Sequence, residues 1–285
     1  MLVSFICPDG ELVDVLSCLA VCRMSRRCLS LPTLRECARQ RPWTGKPSVT
    51  QLLNGTMLEF LKLTTPYAIR PESRAFALLG TQHHLQLAEQ AVDDDAISEN
   101  AMRDGAYTGQ PDFYQDGELW DYKTWGSYRV ARFLGLVADK IDDPMGARYE
   151  KSGSWGARGS MKQVTVWREN PLVADTHDVD LQLNAYRLML ERNRLPVAAM
   201  RVQITVRDGG LTVARQRGIE FLMRVFDITR LPDKEVAEYF ASKGAALQTA
   251  MVQGAWADWC SPDECWDGVR CREYCDVALA CPHGR

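Results

Sequence analysis

Near its middle the chain reads Asp112-Phe113-Tyr114-Gln115-Asp116-Gly117-Glu118-Leu119-Trp120-Asp121-Tyr122-Lys123. Asp116-Gly117 is a strong signal for a two-residue type I′ turn, because both turn positions require φ > 0. A turn closed there pairs Gln115 with Glu118, Tyr114 with Leu119, Phe113 with Trp120, and Asp112 with Asp121. Directly opposed residues have Cβ atoms about 4.5–5.5 Å apart. Side chains alternate with period two, so Lys123 shares the face of Asp121, while Phe113, Trp120 and Tyr122 take the other face, expected toward a core. Two opposed carboxylates repel unless a cation lies between them. The layout is that of a divalent-metal site with an ammonium group beside it. The competing reading is a surface hairpin with polar residues on its wet face.

Two further stretches bear on that choice. From Thr176 an apolar-periodic run continues to Pro196, which predicts a helix capped by Thr176 or Asp178. Gln182 and Tyr186 are four residues apart and project from one face of it. Gly80-Thr81-Gln82-His83-His84 is expected to open another helix, with one imidazole turned inward as a neutral metal ligand.

Together these residues resemble the RecB-type branch of the PD-(D/E)XK nuclease superfamily. The family order is Gly-x-x-x-His, Gly-x-x-Asp, Asp-x-Lys and Gln-x-x-x-Tyr. Here it reads Gly80 to His84, Gly109-Gln110-Pro111-Asp112, Asp121-Tyr122-Lys123 and Gln182 to Tyr186, within residues 48–200. The family's helix often carries a Glu four residues after the His; in this chain Ala88 stands there and Glu89 follows. The resemblance implies that His84, Asp112 and Asp121 hold Mg²⁺ or Mn²⁺, with the carbonyl of Tyr122 as a further ligand. Lys123 then orients the attacking water or stabilises the transition state, and Gln182 and Tyr186 position the substrate backbone. The implied reaction is phosphodiester hydrolysis of DNA.

The ten cysteines are a second signal. Cys7, Cys18, Cys22 and Cys28 are spaced C-x10-C-x3-C-x5-C, and Cys260, Cys271, Cys275 and Cys281 repeat that spacing. Cys37 and Cys265 are left over, and Cys265 is an alternative leading ligand to Cys260. Each quartet suffices for one tetrahedral Zn²⁺ or one iron–sulphur cluster. Disulfides are the competing explanation, but Met1 to Ile6 lacks the basic start of a secretory signal, which favours a cytoplasmic chain with reduced thiols. Some RecB-type nucleases, among them CRISPR-associated exonucleases and AddB-type helicase–nucleases, carry a C-terminal Cys trio completed by one Cys upstream, which together bind a [4Fe-4S] cluster. Cys271, Cys275 and Cys281 resemble that trio, although the first gap is three residues rather than two, and the upstream partner is then Cys28 or Cys37. The local repeat argues instead for two separate sites.

With 285 residues and 46% hydrophobic content, the chain can bury a full core. Its formal net charge of −3 provides no global attraction to nucleic acid, but charge is concentrated locally. Residues 23–46 hold Arg23, Arg26, Arg27, Arg35, Arg39, Arg41 and Lys46 against Glu36 alone. Residues 146–168 interleave Arg148, Lys151, Arg158, Lys162 and Arg168 with Trp155 and Trp167. Such stretches suit a backbone-tracking, base-stacking groove, and equally a solvated loop. No apolar run has transmembrane length, so no membrane partner is expected.

The expected organisation is a Cys-rich basic module (1–45), an α/β PD-(D/E)XK domain with a mixed central sheet flanked by helices (46–255), and a C-terminal Cys module (256–285). Ser48 caps a helix through Leu61, Val197–Val206 and Phe221–Asp227 are strands, and Leu231–Gln253 is a helix. The expected function is a Mg²⁺/Mn²⁺-dependent deoxyribonuclease acting on DNA ends or single strands. A recombination, repair or CRISPR-adaptation protein is the expected partner class. The alternatives are an endonuclease or flap nuclease, and a non-catalytic zinc-bearing DNA-binding or docking protein.

Overall fold

The structure is a computed structural model and describes residues 1–92, 96–105 and 107–284; residue 106, the first of the residues (roughly 106–126) expected from the sequence to form the catalytic hairpin, lies outside the described residues. Strand β1 (Leu2–Ile6) pairs antiparallel with β2 (Leu12–Asp14) and parallel with β3 (Tyr67–Ile69), making a mixed three-stranded sheet. Between β2 and β3 lie four short helices: α1 (Val15–Ala20), α2 (Leu31–Cys37), α3 (Val49–Leu52) and α4 (Thr56–Thr64). Side-chain caps explain why they start where they do. Asp14 accepts from the Ser17 amide, Ser30 from Thr33, and Ser48 forms a reciprocal capping box with Gln51. The Arg27 guanidinium donates to the carbonyls of Cys18, Leu19 and Ala20, closing the other end of α1. Leu2, Phe5, Cys18, Leu34, Cys37 and Ile69 form a core here. The single helix expected from Ser48 is in fact two, broken at Asn54-Gly55, where propensity is low.

Helix α5 (Ala75–Ala88) follows. It begins five residues before Gly80, so His83 and His84 sit near its C-terminal end rather than at its start. Strands β4 (Ile97–Ser98), β5 (Met102–Asp104), β6 (Tyr107–Gly109), β7 (Phe113–Gln115) and β8 (Glu118–Trp125) come next. Then come α6 (Ser127–Phe133), the hairpin strands β9 (Leu136–Asp142) and β10 (Gln163–Glu169), and α7 (His177–Arg192). The chain continues through β11 (Ala199–Val206), α8 (Thr212–Arg215), β12 (Met223–Asp227) and α9 (Asp233–Gln253), ending with α10 (Pro262–Cys265) and α11 (Val269–Glu273). The main sheet has the order β12-β11-β8-β7-β4. The protein is thus mixed α/β, with mixed sheets and flanking helices.

Two compact units emerge. The first comprises Met1–Asp121, Asp180–Arg201 and Ile228–Arg285, and includes both cysteine-rich ends. The second comprises Tyr122–Val179 and Val202–Asp227. In the first unit, α7 is buried over most of its circumference from Leu183 to Leu190, as befits a central helix. In the second, the Ser127 amide and hydroxyl both donate to Asp208, and Arg129 pairs with Asp175. The basic stretch after residue 146 is the long connection between β9 and β10; Trp155 is exposed on it, whereas Trp167 packs against Gly218.

Candidate metal centre

Asp116 (φ 51°) and Gly117 (φ 80°) both adopt the left-handed conformation that a type I′ turn requires. The turn imposes the pairs Gln115–Glu118, Tyr114–Leu119 and Phe113–Trp120. Continuing that register one residue sets Asp112 opposite Asp121. One expectation is reversed. The buried face is the one carrying Tyr114, Leu119 and the two acids, with Asp112 7% and Asp121 1% exposed. Phe113, Trp120 and Tyr122 are only half-buried, and the Arg201 guanidinium covers the Trp120 ring. The carboxylates therefore face the protein interior, where a low dielectric makes their charge costly and any partner cation strongly held.

Helix α5 brings His84 to this face. Its Nδ1 lies 3.2 Å from Asp112 Oδ1 and 3.4 Å from Glu99 Oε1. Among the described residues, the ligand atoms of His84, Glu99 and Asp112 all lie within 4.8 Å of one another. Hydrogen bonds to Asp112 and then Glu99 push the His84 imidazole up to about 10, and a cation bound here takes the place of that proton, because only the neutral ring is a ligand. Burial acts the other way on His83 and lowers it. These donors fit a hard divalent ion that also accepts an imidazole, which describes Mn²⁺ and, less tightly, Mg²⁺. Glu99 was not anticipated from the sequence.

Gln182 reaches the site from α7. Its amide Nε2 donates to Asp121 Oδ1 at 3.1 Å and to the Tyr186 hydroxyl at 3.2 Å. Gln182 therefore holds a carboxylate rather than pointing away from it. Tyr186 is buried, and burial together with nearby Asp121 keeps its phenol well above the ordinary range. Gly109, the glycine of Gly-x-x-Asp, has no left-handed backbone; a Cβ there would lie 3.0 Å from the Tyr186 ring and 2.6 Å from Met189 Sδ. Close approach of that ring is thus what demands glycine. Gly109→Ala is expected to cost about 1–3 kcal/mol through overpacking. A lower denaturation midpoint with an unchanged m-value would show it, and an unchanged midpoint would refute it. Lys123 is half-buried two residues beyond Asp121 on the same strand, and Tyr122 lies between them.

The cysteines are all free thiols. Burial raises the Cys18 thiol, and Cys7, Cys22 and Cys28 are near enough to add to the effect. Burial likewise raises Cys271, with contributions from Cys265, Cys275 and Cys281, and pushes Cys260 up to about 11, where the Leu58 amide opposes the rise. A tetrahedral zinc site needs sulphurs nearly 4 Å apart. Among the described residues no three sulphurs lie within 4.8 Å of one another. Cys18 and Cys37 belong to the apolar core. The basic residues of 23–46 are partly engaged internally, with Arg23 on Asp9, Arg39 on Glu36 and Lys46 on the Gly105 carbonyl. No helix among the described residues is long and apolar enough to cross a membrane.

No protein-family profile matches this chain. No curated protein matches it either. Among solved structures, the crystal structure of SSO0001 is similar with a TM-score of 0.42 and 14% identity, over 89% of this chain and 94% of that one.

Proposed function

We propose that this chain is a divalent-metal-dependent DNA nuclease with a RecB-type PD-(D/E)XK core, acting on DNA ends or single strands. The observation that supports it most is the convergence of His84, Glu99 and Asp112, with ligand atoms within 4.8 Å, beside the buried Asp121. When bound, Mg²⁺ or Mn²⁺ lowers the pKa of its water and offsets charge on the phosphate oxygens. His84, Asp112 and Asp121 hold the ion in this reading, with the Tyr122 carbonyl adjacent. Lys123, on the same face of β8 as Asp121, places an ammonium beside the reacting phosphate and stabilises charge developing there. Gln182 fixes the orientation of Asp121 through its 3.1 Å hydrogen bond, and Tyr186 fixes Gln182.

The test is a cleavage assay of the purified full chain on end-labelled single- and double-stranded DNA. Cleavage is expected with Mn²⁺ or Mg²⁺, and its loss on chelation with EDTA should reverse when metal is restored. Wild-type protein that cuts neither substrate with either ion, or that cuts equally well in EDTA, would overturn the reading.

A further inference from the structure

A third carboxylate, Glu99, lies beside Asp112 just past the end of β4. β4 pairs antiparallel with β7 as Ile97–Tyr114 and Ser98–Phe113. Glu99 follows that ladder directly, as Asp112 and Asp121 flank the β7–β8 ladder. There the pairing departs from the ladder: the Glu99 amide donates to the Pro111 carbonyl at 3.1 Å, and the Ser98 hydroxyl donates to the Asp112 carbonyl at 3.0 Å. Glu99 and Asp112 are thus brought together, and their ligand atoms and that of His84 all lie within 4.8 Å of one another. Carboxylates held this close are destabilising unless a cation lies among them.

Glu99 is also held in place. Its backbone has φ 51°, a left-handed conformation uncommon for a residue with a Cβ. Gln110 Nε2 donates to Glu99 Oε2 at 2.6 Å and to its carbonyl at 2.8 Å. Oε1 is the atom facing His84 Nδ1 at 3.4 Å, on the side of Asp112. Gln110 is the first variable residue of Gly-x-x-Asp, so the motif that carries Asp112 also carries the residue that orients its neighbour.

We infer that Glu99 is a ligand of the divalent cation, sharing it with Asp112 and His84, and that Gln110 is its positioning residue. The inference rests on the metal-site reading proposed above. It supplies, from the residue that follows β4, the additional carboxylate that α5, with Ala88 at the relevant position, does not carry.

The test measures Mn²⁺ binding to the full chain by calorimetry and by electron paramagnetic resonance, independently of cleavage. Four variants are compared with wild type: Glu99→Gln, which keeps shape; Glu99→Asn, which tolerates the left-handed backbone; Gln110→Met; and Asp112→Asn. Both Glu99 variants should weaken Mn²⁺ by at least about tenfold, and Gln110→Met by less, on the scale known for ligands and their outer-shell partners. Wild-type affinity in either Glu99 variant, with binding lost in Asp112→Asn, would overturn the role of Glu99 and leave the metal site standing. Wild-type protein that binds no Mn²⁺, or an Asp112→Asn variant that binds it like wild type, would overturn the metal site and Glu99 with it.

Discussion

An Asp121→Ala protein is expected to lose Mn²⁺-dependent DNA cleavage by on the order of 10³-fold while remaining folded. Asp121 is 1% exposed, faces Asp112 across the hairpin, and accepts from Gln182. Alanine removes a ligand and also removes the acceptor for that amide. Asp121→Asn separates the two effects, because its carboxamide oxygen can still accept from Gln182 while the charge is gone. If the charge is what matters, both variants are equally inactive, and far-UV circular dichroism of each overlays on wild type. Cleavage at the wild-type rate by either purified variant would remove Asp121 from the site.

The hairpin was legible because local chemistry determines it. Asp116-Gly117 sets the turn, the turn sets the register through Phe113–Trp120, and Asp112 and Asp121 flank that last pair. Helix α7 was legible for a similar reason, since its apolar pattern and the following Pro196 mark its extent. What failed was the choice of buried face. Aromatic residues at 113, 120 and 122 suggested one side of the hairpin as core, but Leu119 and Tyr114 are the residues that pack there, and the acids go in with them. Glu99 was illegible from motif spacing, because its place depends on a third strand of two residues and on a left-handed turn at its own backbone. The helix bearing His84 was misplaced because glycine usually marks an end, whereas Gly80 lies inside α5. The cysteine spacing repeats exactly in sequence, and the thiols of each set lie near one another: Cys7, Cys22 and Cys28 add to the burial that raises Cys18, as Cys265, Cys275 and Cys281 do for Cys271.

Arg187→Ala should be the most destabilising of the substitutions considered, at about 3–5 kcal/mol. Arg187 is fully buried, and its guanidinium is satisfied on every side: Nε donates to Asn184 Oδ1, Nη1 pairs with Glu191 and Asp233, and Nη2 donates to the Leu231 carbonyl. Asn184 in turn donates to the carbonyls of Asp180 and Thr229 and accepts from the Leu231 amide. Residues 184, 187 and 191 share one face of α7, bonded to the segment leading into α9, while 182, 186 and 189 share another, turned to Asp121 and Gly109. The buried network thereby sets the rotation of α7 about its axis, and with it the aim of Gln182. Truncation to alanine leaves a cavity and removes the guanidinium donor from the Leu231 carbonyl and from the Glu191 carboxylate, so the loss exceeds that of a surface ion pair. Arg187→Lys keeps the charge but not the planar fork, and should fall between alanine and wild type. Equilibrium denaturation of the three proteins decides the matter: an Arg187→Ala midpoint equal to wild type would mean that α7 is oriented by apolar packing alone.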